Sequence, residues 1–168
     1  PMGKTVRLLA ITHARRQVSM RFAVDAMQFS TSYWYDAVDF YALRARYGED
    51  AIDNVLFHIA AFEINKLCSL RPDHLDWGPF ADFVTAEFEA LWRAIFVHVW
   101  AQWRFENEDP FYKGPDFRVS ENHHARCRID QGPQPRILSF FGGGKDSIVA
   151  ARLLSRVGAH YDTLSYSS

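Results

Sequence analysis

Hydrophobic and polar positions alternate over residues 5 to 35, and the segments "VRLLAIT", "QVSMRFAV" and "MQFSTSYWY" carry the β-branched and aromatic side chains that fit a pleated surface. The polar break "HARR" between the first two reads as a hairpin loop, so this stretch predicts two or three antiparallel strands. From Glu49 the period lengthens. Ile52, Val55, Leu56, Ile59, Phe62, Ile64 and Leu67 follow the spacing of one helix face. "RPDHLDWGP" stops that helix, with Pro72, Gly78 and Pro79 marking a connecting loop. A second helix is predicted from about Phe80 to Phe105. Its apolar positions (Phe83, Phe88, Leu91, Trp92, Ile95, Phe96, Val99, Trp100 and Trp103) form a stripe wide enough to imply burial on more than one side. These aromatics read as packed core rather than as a base-stacking or cofactor surface. The pattern fails at "ENEDP", and Pro110 ends the helix.

Residues 106 to 135 hold Gly114, Pro115, Gly132, Pro133 and Pro135 among scattered charges, with at most one short strand near "FRVS". Beyond them "RILSFF" reads as a buried strand, "GGGKDS" as a glycine turn, "SIVAARLLSRVG" as a helix ended by Gly158, and "YDTLSYS" as a second strand. That order is a βαβ unit with a crossover helix. The expected fold class is therefore an α+β N-terminal module of short antiparallel strands plus two helices over residues 1–110. A connecting loop over 111–135 follows, then the first βαβ unit of an α/β domain over 136–168. Pro1 precedes Met2, and "YDTLSYSS" reads as a strand with no terminator, so the chain is expected to be an N-terminal fragment without catalytic competence of its own.

Composition narrows the class. The chain has 168 residues, 48% hydrophobic and 15% aromatic, enough to bury a core for one or two small domains. With 19 basic residues against 20 acidic ones there is no overall field to hold a nucleic acid or an anionic membrane, and charge alone names no partner. Cys68 and Cys127 do not make a disulfide framework and no signal-peptide pattern opens the sequence, which points to a reducing, cytoplasmic setting. The longest apolar run, Ala94 to Ala101, is interrupted by His98 and falls far short of the roughly 20 residues of a membrane span.

The candidate chemistry lies in "GGGKDS" at 142 to 147. Consecutive glycines between a strand and a helix let backbone amides approach an anion, and the helix N-terminus adds partial positive charge. A Walker A loop requires Ser or Thr after its Lys, whereas Lys145 is followed by Asp146. The dinucleotide fingerprint requires a third glycine where this chain has Ser147. The segment resembles the PP-loop of the ATP pyrophosphatase superfamily, usually Ser-Gly-Gly-x-Asp-Ser: Gly143, Gly144, Asp146 and Ser147 match, and Gly142 stands where the family commonly has serine. The resemblance implies an adenine nucleotide alpha hydrolase-like domain that binds ATP with Mg²⁺. Gly143, Gly144 and Ser147 would cradle the β and γ phosphates, a backbone amide would replace the hydroxyl contact missing at Gly142, Lys145 would neutralise charge, and Asp146 would orient the loop or the cation.

Within that superfamily, "FGGGKDS" preceded by strands and then by helices is similar to the UDP-N-acetylmuramoyl-L-alanyl-L-glutamate epimerase family. Over residues 15 to 110, including "LFHIAAFEINKLCSLRPDHLDW", the similarity is one of order and pattern. It implies ATP-dependent inversion of the terminal L-glutamate of a UDP-linked muramoyl dipeptide in peptidoglycan biosynthesis. The α-carboxylate would be adenylated, pyrophosphate and AMP released, and a general base would act at the α-carbon, with no residue assigned to that role. Other PP-loop acceptors, as in an amidotransferase-like synthetase, a tRNA-modifying enzyme or a sulfonucleotide reductase, and a non-catalytic nucleotide-binding interaction module, are the competing readings.

Weaker candidates complete the survey. His123, His124 and Cys127 in "ENHHARC" have a spacing that one zinc ion accepts, without an evident third or fourth ligand. "DPFYKGPD", with Lys113 between turn residues, reads as a surface turn or part of an acceptor site. Arg15, Arg16, Arg44 and Arg46 are cations that could grip an anionic substrate, and His58 and His98 lie on predicted helices.

Overall fold

The computed structural model describes residues 3–121 and 137–165. The chain divides into two compact units, Pro1–Arg128 and Ile129–Ser168. In the first, β1 (Thr5–His13), β2 (Gln17–Val24) and β3 (Met27–Trp34) form an antiparallel meander, as their alternation predicts. Asp25 makes the tight turn between β2 and β3 in the left-handed region (φ 51°). Its carboxylate accepts from the Thr5 N–H at 2.9 Å while its own N–H donates to the Thr5 carbonyl at 3.0 Å. Short polar side chains tolerate that conformation because they hydrogen-bond locally.

The helix α1 (Phe40–Tyr47) was not anticipated from the apolar period, since Phe40 is its one buried residue. Its ends are nevertheless written in the sequence. The Asp39 carboxylate accepts from the amides of Tyr41 and Ala42 at 3.0 and 3.1 Å, and Gly48 (φ 88°) closes the C-terminus. The helix α2 (Glu49–Leu67) lies against β1 and β2, burying Ile52, Leu56, Phe57 and Ile64 over Val6, Leu8, Val18, Met20 and Phe22. Of its other predicted face residues, Ile59 and Leu67 are half-buried against the core and Val55 and Phe62 are exposed.

The stretch read as a plain connecting loop contains a further strand. β4 (His74–Asp76) pairs parallel to β1 through Thr5↔His74, Val6↔Leu75 and Arg7↔Asp76, giving a four-stranded sheet of order β3-β2-β1-β4. Only Leu75 of the three is buried, so no alternation announces it. Gly78 follows at φ 55°, where a Cβ would stand 2.3 Å from the Leu8 carbonyl oxygen; this glycine is what lets the chain turn off the sheet against β1.

The predicted second helix is broken into parts. Phe80 and Phe83 belong to a 3₁₀ turn, Gly78–Phe83. Thr85 then caps α3 (Ala86–Ala94), its hydroxyl accepting from the Phe88 amide at 3.2 Å, and a π turn at Ile95–Val99 leads into α4 (Ala101–Glu106). Burial on several sides is not what the stripe delivers. Phe88, Trp92, Phe96 and Trp100 are buried, whereas Leu91, Val97, Val99 and Phe105 face outward. The core reading of the aromatics holds for that buried line. Trp77 is its hub, edge-on to Phe57, Phe88 and Trp92 at 5.3 to 5.4 Å.

Residues 110 to 120 run over this core. Pro115 is fully buried, the Tyr112 hydroxyl donates to the Cys68 carbonyl at 2.7 Å, and the Asp116 carbonyl accepts from the Leu75 amide at 2.8 Å. "FRVS" forms no strand; its neighbour Asp116 makes a single parallel bridge to His74.

The second unit is a βαβ arrangement: β5 (Ile137–Phe140), α5 (Lys145–Arg156) and β6 (Tyr161–Leu164), with the strands parallel. No residue of α5 is fully buried. Ser147, Ala150, Ala151 and Leu154 are half-buried along one side of the helix, while Ile148, Val149, Leu153 and Val157 are exposed. The first unit is thus an α+β module, and among the described residues no helix is long and apolar enough to cross a membrane.

Two measurements test this packing. Gly78→Ala should lower unfolding free energy by roughly 2–4 kcal/mol in denaturant titration, because left-handed strain adds to a clash with rigid backbone. Burial pushes the Cys68 thiol up from 9.0 to about 12 and also raises Tyr112 from 10.0. Acids with raised folded pKa values contribute stability that is complete below their unfolded values and lost above them. The denaturation midpoint should therefore stay level to about pH 9 and decline beyond it, with the onset moved toward about pH 10 in Cys68→Ala.

Candidate functional site

β5 delivers the glycine loop at the C-terminal end of a parallel strand, the side on which open α/β sheets bind ligands. The Phe141 amide donates to the Leu164 carbonyl at 2.9 Å, so the strand pair keeps its register up to the residue where the loop leaves the sheet. Gly143 has φ 76°, a conformation that only glycine adopts without strain. Gly144 is the N-cap of α5 with extended dihedrals (φ −81°, ψ 171°), and it places no side-chain acceptor over the first amides of the helix. A Cβ built on Gly142, Gly143 or Gly144 meets no atom within 4 Å. Conformation therefore demands glycine only at 143; at 142 and 144 its effect is to leave the approach to the backbone clear.

Lys145 and Asp146 open the helix and are exposed. Ser147 is half-buried, and its hydroxyl donates to the Gly144 carbonyl at 2.8 Å, which the Ile148 amide also reaches at 3.2 Å. The structure brings all six sequence-predicted residues, Gly142 to Ser147, onto one exposed turn. First-turn amides, the helix dipole and the Lys145 ammonium all favour an anion there. Asp146 favours the helix electrostatically but repels a bare anion, so the loop suits an anion that arrives with a cation. The Ser147 hydroxyl must rotate away from Gly144 to donate to such a ligand.

The other candidates are not assembled into a site. Arg15 pairs with Asp39 at 3.0 Å and Arg16 with Asp36 at 3.3 Å. Arg44 is largely buried and paired with Glu49 and Asp53, and the Arg46 guanidinium lies 5.0 Å from the Tyr47 ring centroid. Arg15 and Arg44 thus tie the two ends of α1 to their neighbours, and these partners of the four arginines are local ones that form no shared site. His58 bonds the Asn54 carbonyl through Nδ1 at 2.8 Å and meets Phe57 and Phe88 edge-on, a satisfied rim residue; His98 is exposed on the π turn. His123, His124 and Cys127 lie outside the described residues. Among the described residues no group of three or more His, Cys, Asp or Glu is placed to hold a metal. Cys68, buried and with a raised pKa, is chemically inert.

Sequence reasoning missed a hollow of about 470 Å³ beside β4, lined by His74, Asp76, Trp77, Asp116, Phe117 and Arg118. No sequence signal could have found it, because its two halves lie about forty residues apart in the chain and meet through tertiary contacts, among them the His74–Asp116 bridge and the edge-on Trp77–Phe117 pair.

No family model, no curated protein and no solved structure matches the chain.

The loop geometry makes a prediction of its own. Gly142→Ala should leave amide-exchange protection in α5 unchanged, Gly144→Ala should lower it by about 0.5 kcal/mol because alanine is a poorer N-cap than glycine, and Gly143→Ala should reduce it by about 1 kcal/mol or more, since of the three only that position has a positive φ.

Proposed function

We propose that residues 142–147 bind the polyphosphate of ATP, and that the second unit is the nucleotide-binding part of an ATP pyrophosphatase of the PP-loop type. The observation that carries this reading is the loop itself. Three unobstructed glycines separate a parallel strand from an uncapped helix N-terminus, and Lys145, Asp146 and Ser147 follow at once. The apolar Leu138 and Phe140, exposed on β5, add support, because strands of parallel α/β sheets are apolar on both faces.

In this reading the amides at Gly143 and Gly144 meet the β and γ phosphates, and Lys145 offsets their charge. Ser147, released from the Gly144 carbonyl, donates to an oxygen. Asp146 is the carboxylate available to Mg²⁺, which needs only one or two protein carboxylates when phosphates supply further ligands. A substrate oxygen attacks the α-phosphorus, the bond to the β-phosphate oxygen breaks, and pyrophosphate departs into the loop, where fixed donors stabilise its charge as it develops. The acceptor we propose is the terminal glutamate carboxylate of a UDP-linked N-acetylmuramoyl-L-alanyl-L-glutamate. Adenylation makes its α-proton more acidic, because the mixed anhydride delocalises charge that a free carboxylate would oppose, and epimerisation becomes accessible to a general base.

The test begins with ATP, pyrophosphate and AMP titrated separately into the chain with Mg²⁺ while the α5 amides are followed by NMR. ATP and pyrophosphate should give saturable shifts, AMP none, and Lys145→Gln should weaken ATP by about tenfold. Equal response to AMP, or no saturation by ATP, would sink the loop assignment. In the intact protein, release of AMP and pyrophosphate that depends on the muramoyl dipeptide and on Asp146, with D-glutamate recovered, is the expected result for the acceptor. ATP binding without such release would retain the loop and discard the epimerase.

A further inference from the structure

The π turn in the first unit leaves carbonyls that an ordinary helix would have used. The Trp100 amide bonds the Ile95 carbonyl at 3.2 Å, one residue further back than in an α-helix, so it does not reach Phe96. The Arg104 guanidinium takes over, donating to the Phe96 carbonyl and, at 2.9 Å, to the Val97 carbonyl. A long cationic side chain is thereby fixed at one place on the helix surface.

That place is the edge of a hollow of about 270 Å³, close to the lower limit of small-molecule pockets. Phe96, Val97, Phe111 and Tyr112 give it apolar walls. The "DPFYKGPD" segment closes one side because Gly114 (φ 81°) lies so near the Phe96 ring that a Cβ there would be 2.7 Å from it. The Tyr112 hydrogen bond to the Cys68 carbonyl anchors the same segment. The core therefore holds the backbone that frames the hollow at Tyr112 and Gly114, while Val97 and Phe111 line it as exposed side chains.

Its charge is one-sided. Three cations line the hollow: Arg93, Arg104 and Lys113. The Arg93 guanidinium is matched by Glu89 at 3.0 Å, but among the described residues neither Arg104 nor Lys113 has a carboxylate partner. Two uncompensated positive charges beside an apolar cavity fit a ligand with a negative head and an apolar body. A bare inorganic anion would leave the walls unused, and a neutral hydrocarbon would leave both cations without a counterpart.

We propose that this hollow is a binding site for a small organic carboxylate with an aromatic or branched aliphatic body, its carboxylate between Arg104 and Lys113 and its body between Phe96, Phe111 and Tyr112. The site belongs to the first unit alone and does not depend on the nucleotide reading of residues 142–147.

The experiment titrates 4-phenylbutyrate into the full chain, followed by amide NMR, with 4-phenylbutan-1-ol as the uncharged match. The expected result is saturable shifts at Val97, Tyr112 and Lys113, with the carboxylate binding about tenfold more tightly than the alcohol. Lys113→Gln should cut that advantage about threefold. Phe111→Ala, at a residue 85% exposed and so without consequence for the core, should weaken both probes by a similar factor. Lack of saturation below about 10 mM, alcohol binding as tight as that of the carboxylate, or a Lys113→Gln variant that leaves the ratio unchanged would each overturn the proposal.

Discussion

The first unit depends on a spacing mismatch. Phe88, Trp92, Phe96 and Trp100 recur every fourth residue and all four are buried. An α-helix turns roughly 100° per residue, so each such step overshoots a full turn by about 40° and the three together by about 120°. A straight helix would carry Trp100 round toward solvent. The π turn at Ile95–Val99 absorbs one extra residue and takes back roughly 100°, which keeps the last ring over the core. Its Nε1–H then donates to Asn65 of α2 at 3.0 Å, a polar anchor at the end of an apolar column. The conformational cost of the wider turn is offset by aromatic burial, of the order of 2–3 kcal/mol per ring.

Much else follows from that column. Trp77 packs against it from the loop after β4, which draws β4 alongside β1 as a parallel neighbour. Tyr112 contacts Phe96 and Trp103 at 5.8 and 5.3 Å, so the chain after α4 is held down although it has no regular secondary structure. Among its described residues the second unit has no such organiser. Its helix rests on the strands through Ser147, Ala150, Ala151 and Leu154, three of them small, and the larger apolar side chains point elsewhere.

The strands β1 to β3 and the helix α2 were legible because each buries one face and alternates or repeats accordingly. The βαβ order at the end of the chain was legible for a different reason: glycines punctuate it. α1 escaped notice because its evidence lies in caps, Asp39 and Gly48, rather than in periodicity. β4 escaped because its pairing is set by partners about seventy residues away, beyond what local pattern encodes. The stripe after Thr85 misled because apolar residues outside the four-residue line, such as Leu91 and Val99, widen it without being buried. Of the candidate loop, residue types and context were readable. The orientation of Ser147 toward Gly144 and the left-handed backbone at Gly143 alone among the three glycines were not, since both are set by the three-dimensional path of the loop rather than by residue type.

The two borders of the four-stranded sheet differ in kind. Beyond β4, the main chain of Asp116 already occupies hydrogen-bonding groups of Leu75 and Asp73. Beyond β3, among the described residues, no further strand is paired, and that strand carries neither lysine nor proline to discourage one. Among the described residues the β3 border therefore presents main-chain groups without a strand partner, whereas one short bridge at Asp116 shields the β4 border.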